Sequence, residues 1–132
     1  MQVERKTRAA PIMSIQNSVM VNQLKKKEVW IGLVEVRALN GGNEILGDTK
    51  GAFVNIVTWA SSAEDYKRNA ETVIGDLGGL FVSDVLTPEP VKTRRVKKVV
   101  FEEEIEDMIS RAEGNPNAII YGTFHTFEKD DA

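Results

Sequence analysis

The chemistry this chain could perform has one obvious focus. His125 is the single histidine among 132 residues, and an imidazole changes charge near neutral pH. In a strand covering residues 118–127 the side chains alternate, so Ile119, Tyr121, Thr123, His125 and Phe127 are expected on one face. The same alternation in residues 52–59 groups Phe53, Asn55, Val57 and Trp59. If those strands are neighbours, Asn55, Trp59, Tyr121 and His125 would form an aromatic-walled ligand pocket with a few polar handles, and His125 would be its candidate general base. An aromatic sheet face of this kind serves equally well as a dimer interface. One histidine cannot build a multi-histidine metal centre. With no cysteine in the chain, thiolate zinc sites, iron–sulfur clusters, cysteine nucleophiles and disulfides are excluded. Neither a metal nor a cofactor is expected.

Other polar groups have simpler explanations. Glu102, Glu103, Glu104, Glu106 and Asp107 crowd one presumed helical surface and read as solvated charge, with no apolar pocket to drive their pKa values apart. Asp84, a mid-strand acid, is expected to face water. Ser61 and Ser62, each followed three residues later by an acid, form a capping-box pattern that marks a helix start. The loop containing Gly41, Gly42 and Gly47 lacks the Gly-Lys-Ser/Thr ending of a phosphate-binding loop. Lys92, Arg94, Arg95, Lys97 and Lys98 form a basic block that would attract phosphates if free, but the acidic block follows directly and would neutralise it on contact.

The elements that must position these groups follow from patterning. Residues 1–60 carry eight Lys/Arg against five Asp/Glu, whereas residues 61–132 carry nine against fifteen, and the net charge is −3. Such a balance does not mark a polyanion binder. Residues 1–28 lack a sustained period and are expected to form a flexible basic arm, and residues 129–132 an acidic tail. Between them, residues 29–128 should fold as one domain, since a chain of this size buries enough surface for one core. Strands are expected at 29–39, 52–59, 80–87 and 118–127; residues 91–100 are ambiguous and are taken as a lysine-rich edge strand, the alternative being to drop it and leave two βαβ crossovers. One helix should run from Ser61–Ser62 to Gly78–Gly79, with Ala63, Tyr66, Ala70, Val73 or Ile74, and Leu77 as its apolar stripe. A second should carry Phe101, Ile105, Met108, Ile109 and Ala112.

That order predicts an α+β fold: a ferredoxin-like βαββαβ sandwich with one extra N-terminal strand, its two helices packed on one face of a mostly antiparallel sheet. The sheet face left open must be hidden, and the sequence shows no nucleophile, metal cluster or phosphate loop. The primary expectation is therefore a small non-enzymatic protein-interaction module, a homodimer through its sheet face, that also takes a protein partner. The alternative is a small-molecule binder or cofactor-independent enzyme using Tyr121 and His125. A third reading, nucleic-acid binding through residues 92–98, is disfavoured. Apolar runs are far shorter than the roughly 20 residues that span a bilayer, and a cytoplasmic protein is expected.

Overall fold

The computed structural model describes residues 26–40 and 43–127. Most of the expected arm and all of the expected tail lie outside these residues. The fold is α+β, with a mostly antiparallel open sheet and three helices among the described residues. Two long strands, β1 (Glu28–Ala38) and β2 (Gly51–Ala60), form an antiparallel hairpin. Helix α1 (Ala63–Asp76) then crosses to β3 (Leu80–Pro90), which pairs antiparallel with the far side of β1. A short helix α2 (Val91–Val96) and helix α3 (Glu103–Glu113) lead back to β4 (Ile119–Tyr121) and β5 (His125–Phe127), which both pair antiparallel with β2. Across the sheet the order is β3-β1-β2-β4, with β5 beside β4 on β2.

This corrects the expected ferredoxin-like arrangement. The hairpin at the start makes β1 and β2 the centre of the sheet, and the helices lie on both faces instead of one. Alternation along β1 and β2 sends Val34, Val36, Val54 and Ile56 into one core with Tyr66, Ala70 and Ile74 of α1. It sends Ile31 and Val57 into a second core with Val91 of α2 and with Ile105, Met108, Ile109 and Ala112 of α3. The β-branched run of β2 is consistent with a strand buried from both sides.

Residues 91–100 are the second correction. They form α2 and a turn, entered from Pro90, which stands at the N-cap with φ −59° and ψ 142°. Val91 is buried. Arg94 folds back on β3, its Nε donating to Glu89 at 2.7 Å and an Nη donating to the Thr87 carbonyl at 2.7 Å. The helix stops in a Schellman arrangement: Val99 N–H donates to the Arg94 carbonyl and Lys98 N–H to the Arg95 carbonyl, with Lys98 at φ +64°. A lysine thus occupies the left-handed position that glycine usually fills.

The first long helix starts as its sequence predicts. Ser62 Oγ accepts from Asp65 N–H at 3.1 Å, and Asp65 accepts from Ser61 N–H at 2.9 Å. Burial of the Asp65 carboxyl opposes its ionisation, but these Ser61 bonds, with Lys27 and Arg68 nearby, hold its pKa below the ordinary value. Tyr66 is fully buried, and its hydroxyl donates to the Ile56 carbonyl at 2.7 Å. Burial pushes its phenol pKa well above normal. The ring lies over Gly32, where a Cβ would come within 2.9 Å of the hydroxyl. Trp30 packs beside it with ring centroids 6.5 Å apart, and the Trp30 indole N–H is buried without a hydrogen-bond partner among the described residues.

Candidate functional site

The residues nominated from sequence do not converge. Tyr121 is in register with Ile56 on the α1 side of the sheet, whereas His125 is in register with Phe53 on the opposite side. Between these pairs four steps along the outer strand match three along β2, so the chain holds one extra residue. A one-residue insertion reverses every side chain beyond it. The expected alternation from Ile119 to Phe127 therefore breaks at residues 122–124. Helix α3 holds the break in place: Glu104 accepts from the Thr123 hydroxyl at 2.6 Å and from its N–H at 3.2 Å. Gly122 allows the close approach, since a Cβ there would lie 3.0 Å from Met108 Sδ.

Asn55 and Trp59 lie on the same side of the sheet as His125, but Trp59 is six residues beyond Phe53 along β2, roughly 20 Å at strand rise. It sits under α3, and its indole N–H donates to the Ala112 carbonyl at 2.6 Å. Asn55 is half-buried, and its carbonyl accepts from Gly122 N–H at 3.0 Å. His125 is exposed. Tyr121 packs on Phe124 at a centroid distance of 5.7 Å and lines a hollow with Arg111, Ile119 and Ile120. That hollow excludes His125, so the four residues form no common pocket.

The basic block is largely occupied. Lys92 pairs with Glu28 at 3.2 Å, Arg94 and Lys97 with Glu89 at 2.7 and 3.2 Å, and Arg95 with Glu106 at 3.0 Å. Hydrogen bonds from Arg94 and then Lys97 hold the Glu89 pKa below its ordinary value, and Arg95 does the same for Glu106. Asp84 is exposed and accepts from the N–H of the next residue, as a solvated acid should. The N-terminus of α1 already holds the Asp65 carboxylate. No group of three or more His, Asp or Glu side chains is arranged to hold a metal among the described residues, and no described helix is long and apolar enough to cross a membrane.

Two surfaces remain. One is the half of the sheet beyond the reach of α2 and α3. Leu33, Glu35 and Arg37 of β1 share this face with Phe53 of β2, Phe81 of β3 and Phe127 of β5 through their paired registers. None of them belongs to either core cluster. Phe53 and Phe127 pack at 5.3 Å, Arg37 lies 5.2 Å over the Phe127 ring, and Arg37 pairs with Glu35 at 2.8 Å. Phe81 is 40% exposed. The second surface is a cleft of about 370 Å³ beside Trp59, lined by Val29, Val91, Lys92, Arg95, Glu28 and Glu113. Sequence reading missed this cleft because it treated 91–100 as a strand. The signal was present: Val91, Arg94 and Arg95 recur at helical three- and four-residue steps directly after a proline.

No family, no curated protein and no solved structure matches this chain.

Proposed function

We propose that this chain is a non-enzymatic protein-interaction module that self-associates through the open half of its sheet. The observation that carries the reading is the aromatic group Phe53, Phe81 and Phe127 on a sheet surface that no described helix packs against. Aromatic residues framed by polar ones are the composition of an interface core. Glu35 and Arg37 put both signs of charge inside the patch, so a two-fold axis would set Arg37 of one copy against Glu35 of the other.

Size limits the strength of this contact. Four strands at about 4.8 Å spacing by five residues at about 3.4 Å cover roughly 300 Å². A standard stable interface buries about 800 Å² per partner. Self-association through this patch is therefore weak and concentration-dependent. Sedimentation velocity across a concentration series tests it: the sedimentation coefficient should rise with concentration for the native chain and stay at the monomer value for Phe53→Asp. Phe81→Asp, on the outer strand, provides the same test with less risk to folding. A native chain that remains monomeric at every concentration refutes the proposal, and folded variants that still associate place the contact elsewhere.

A further inference from the structure

The outer edge of β4 supports a separate inference that does not depend on self-association. Gly122 N–H donates to the Asn55 carbonyl, and in an antiparallel pair such bonds recur at every second residue. Ile120 therefore points its backbone groups at Val57 of β2, whereas Ile119 and Tyr121 point theirs away from the sheet. Those two N–H and two C=O groups have no partner among the described residues. A hollow of about 370 Å³ lies against them, lined by Arg111, Ile119, Ile120 and Tyr121. An unpaired edge of this kind is a template for one more strand. The opposite edge of the sheet is not, because β3 carries two register shifts, a left-handed Thr87 and the prolines Pro88 and Pro90.

We propose that residues 18–22 of this same chain add to β4 as an antiparallel strand that closes the edge. Composition selects this occupant. Residues 9–24 hold no charged side chain, and seven of these 16 are Ile, Leu, Val or Met, in a chain that is 28% charged. Such a segment gains by burial what a charged arm gains by solvation. Within it, Val19-Met20-Val21 is the stretch best suited to a strand. With Val21 opposite Ile119 and Val19 opposite Tyr121, both valines lie on the α1 side of the sheet and Met20 lies beside Ile120 on the α3 side.

Reach selects the same segment. β1 starts at Glu28, opposite Ala60, and β4 starts opposite Thr58, so both begin at one end of the sheet. A strand beyond β4 lies three spacings from β1, about 14 Å, and the six residues from Asn22 to Glu28 span up to about 20 Å. Lys27 is close enough to Asp65 to act on its ionisation, and Asp65 stands in the first turn of α1, just past the end of β2. The chain thus enters β1 from the side on which β2 and β4 lie. Tethering gives the segment an effective concentration that a separate peptide would lack.

Amide hydrogen exchange on the full-length protein tests this. The Ile119 and Tyr121 amides should exchange at least about tenfold more slowly than exposed, unbonded amides. In the proposed register the N–H groups of Val19 and Val21 face β4, so the double variant Val19→Pro/Val21→Pro should abolish that protection while Ile120, bonded to β2, keeps its own. Met20→Pro removes an N–H that faces solvent and should leave most of the protection in place. Because the chain contains no cysteine, Ser18→Cys carries a single nitroxide, which should broaden the Tyr121 amide of its own copy and not that of isotope-labelled native protein mixed with it. Unprotected Ile119 and Tyr121 amides overturn the proposal. So does protection that survives the double proline variant, or broadening confined to the mixed sample, which would give the edge to a second copy.

Discussion

The two faces of the sheet are built from alternate residues of the same strands, yet they end in different states. On the α1 side, Val34, Val36, Val54 and Ile56 are completely buried. On the other side burial stops after Ile31 and Val57, and Leu33, Glu35 and Phe53 are only partly covered. Helix length accounts for part of this. The 14 residues of α1 extend about 21 Å and the 11 of α3 about 16 Å, against roughly 33 Å for the ten residues of β2. Neither helix covers the sheet alone. On the α1 side Leu46, from the turn bounded by Asn43 and Gly47, extends the cover and is 3% exposed. No described segment does so on the other side. Coverage of a sheet face is thus settled by connecting segments as much as by its own pattern.

Substitutions in the two regions should separate them sharply. Tyr66→Ala, on the sealed face, is expected to cost about 3–5 kcal/mol through the cavity left by a buried aromatic, measured by urea denaturation. Phe53→Ala on the open half should cost well under half as much; equal losses would mean that the open half is sealed in solution. Gly32→Ala drives a methyl into the Tyr66 ring and should cost about 1–3 kcal/mol. Its effect should largely vanish in a Tyr66→Leu background, which a double-mutant cycle reads directly.

Glu104→Ala removes the clamp on the strand break and should cost about 1 kcal/mol. Amide exchange should then accelerate at Thr123 while the amides of β1 stay protected, and uniform acceleration would show that the break is not held locally. Lys98→Gly relieves a lysine from the left-handed region and should stabilise the chain by about 0.5–1 kcal/mol. A destabilised glycine variant would show that the turn after α2 depends on the lysine side chain.

The smallest expected effect is on pH dependence. Arg94 and Lys97 depress the Glu89 pKa, so its folded value lies below the unfolded one. The unfolded state then binds more protons through this window, and the stability Glu89 contributes is present above the ordinary carboxylate pKa, near 4.5, and lost as pH falls through the folded value. Glu89→Gln should flatten the acid limb of stability against pH, and an unchanged limb would assign that slope to other carboxylates such as Asp65.

How far the sequence could be read depended on how local the signal was. The α1 start was legible because a capping box involves only Ser61, Ser62 and Asp65. The Tyr66, Ala70 and Ile74 stripe and that of Ile105, Met108, Ile109 and Ala112 were legible because helical period is a property of one segment. Residues 91–96 were misread because valines spaced among lysines satisfy a strand pattern until Pro90 and the Arg94 contacts to Glu89 and Thr87 are considered. The Tyr121 and His125 pocket failed because strict alternation was carried across residues 122–124, where one extra residue reverses the faces.

The sequence by itself determined β1, β2, β3, α1 and α3, the amphipathic faces of those two helices, and the absence of thiol chemistry, since each depends on residue type or short-range spacing. Tertiary structure alone decided which side of the sheet each helix covers, where the outer strand breaks, and that Trp59 meets α3 rather than His125. Those outcomes rest on contacts such as Glu104 with Thr123, Trp59 with Ala112 and Arg94 with Thr87. Their partners are brought together only when the chain packs, and no local pattern records the pairing.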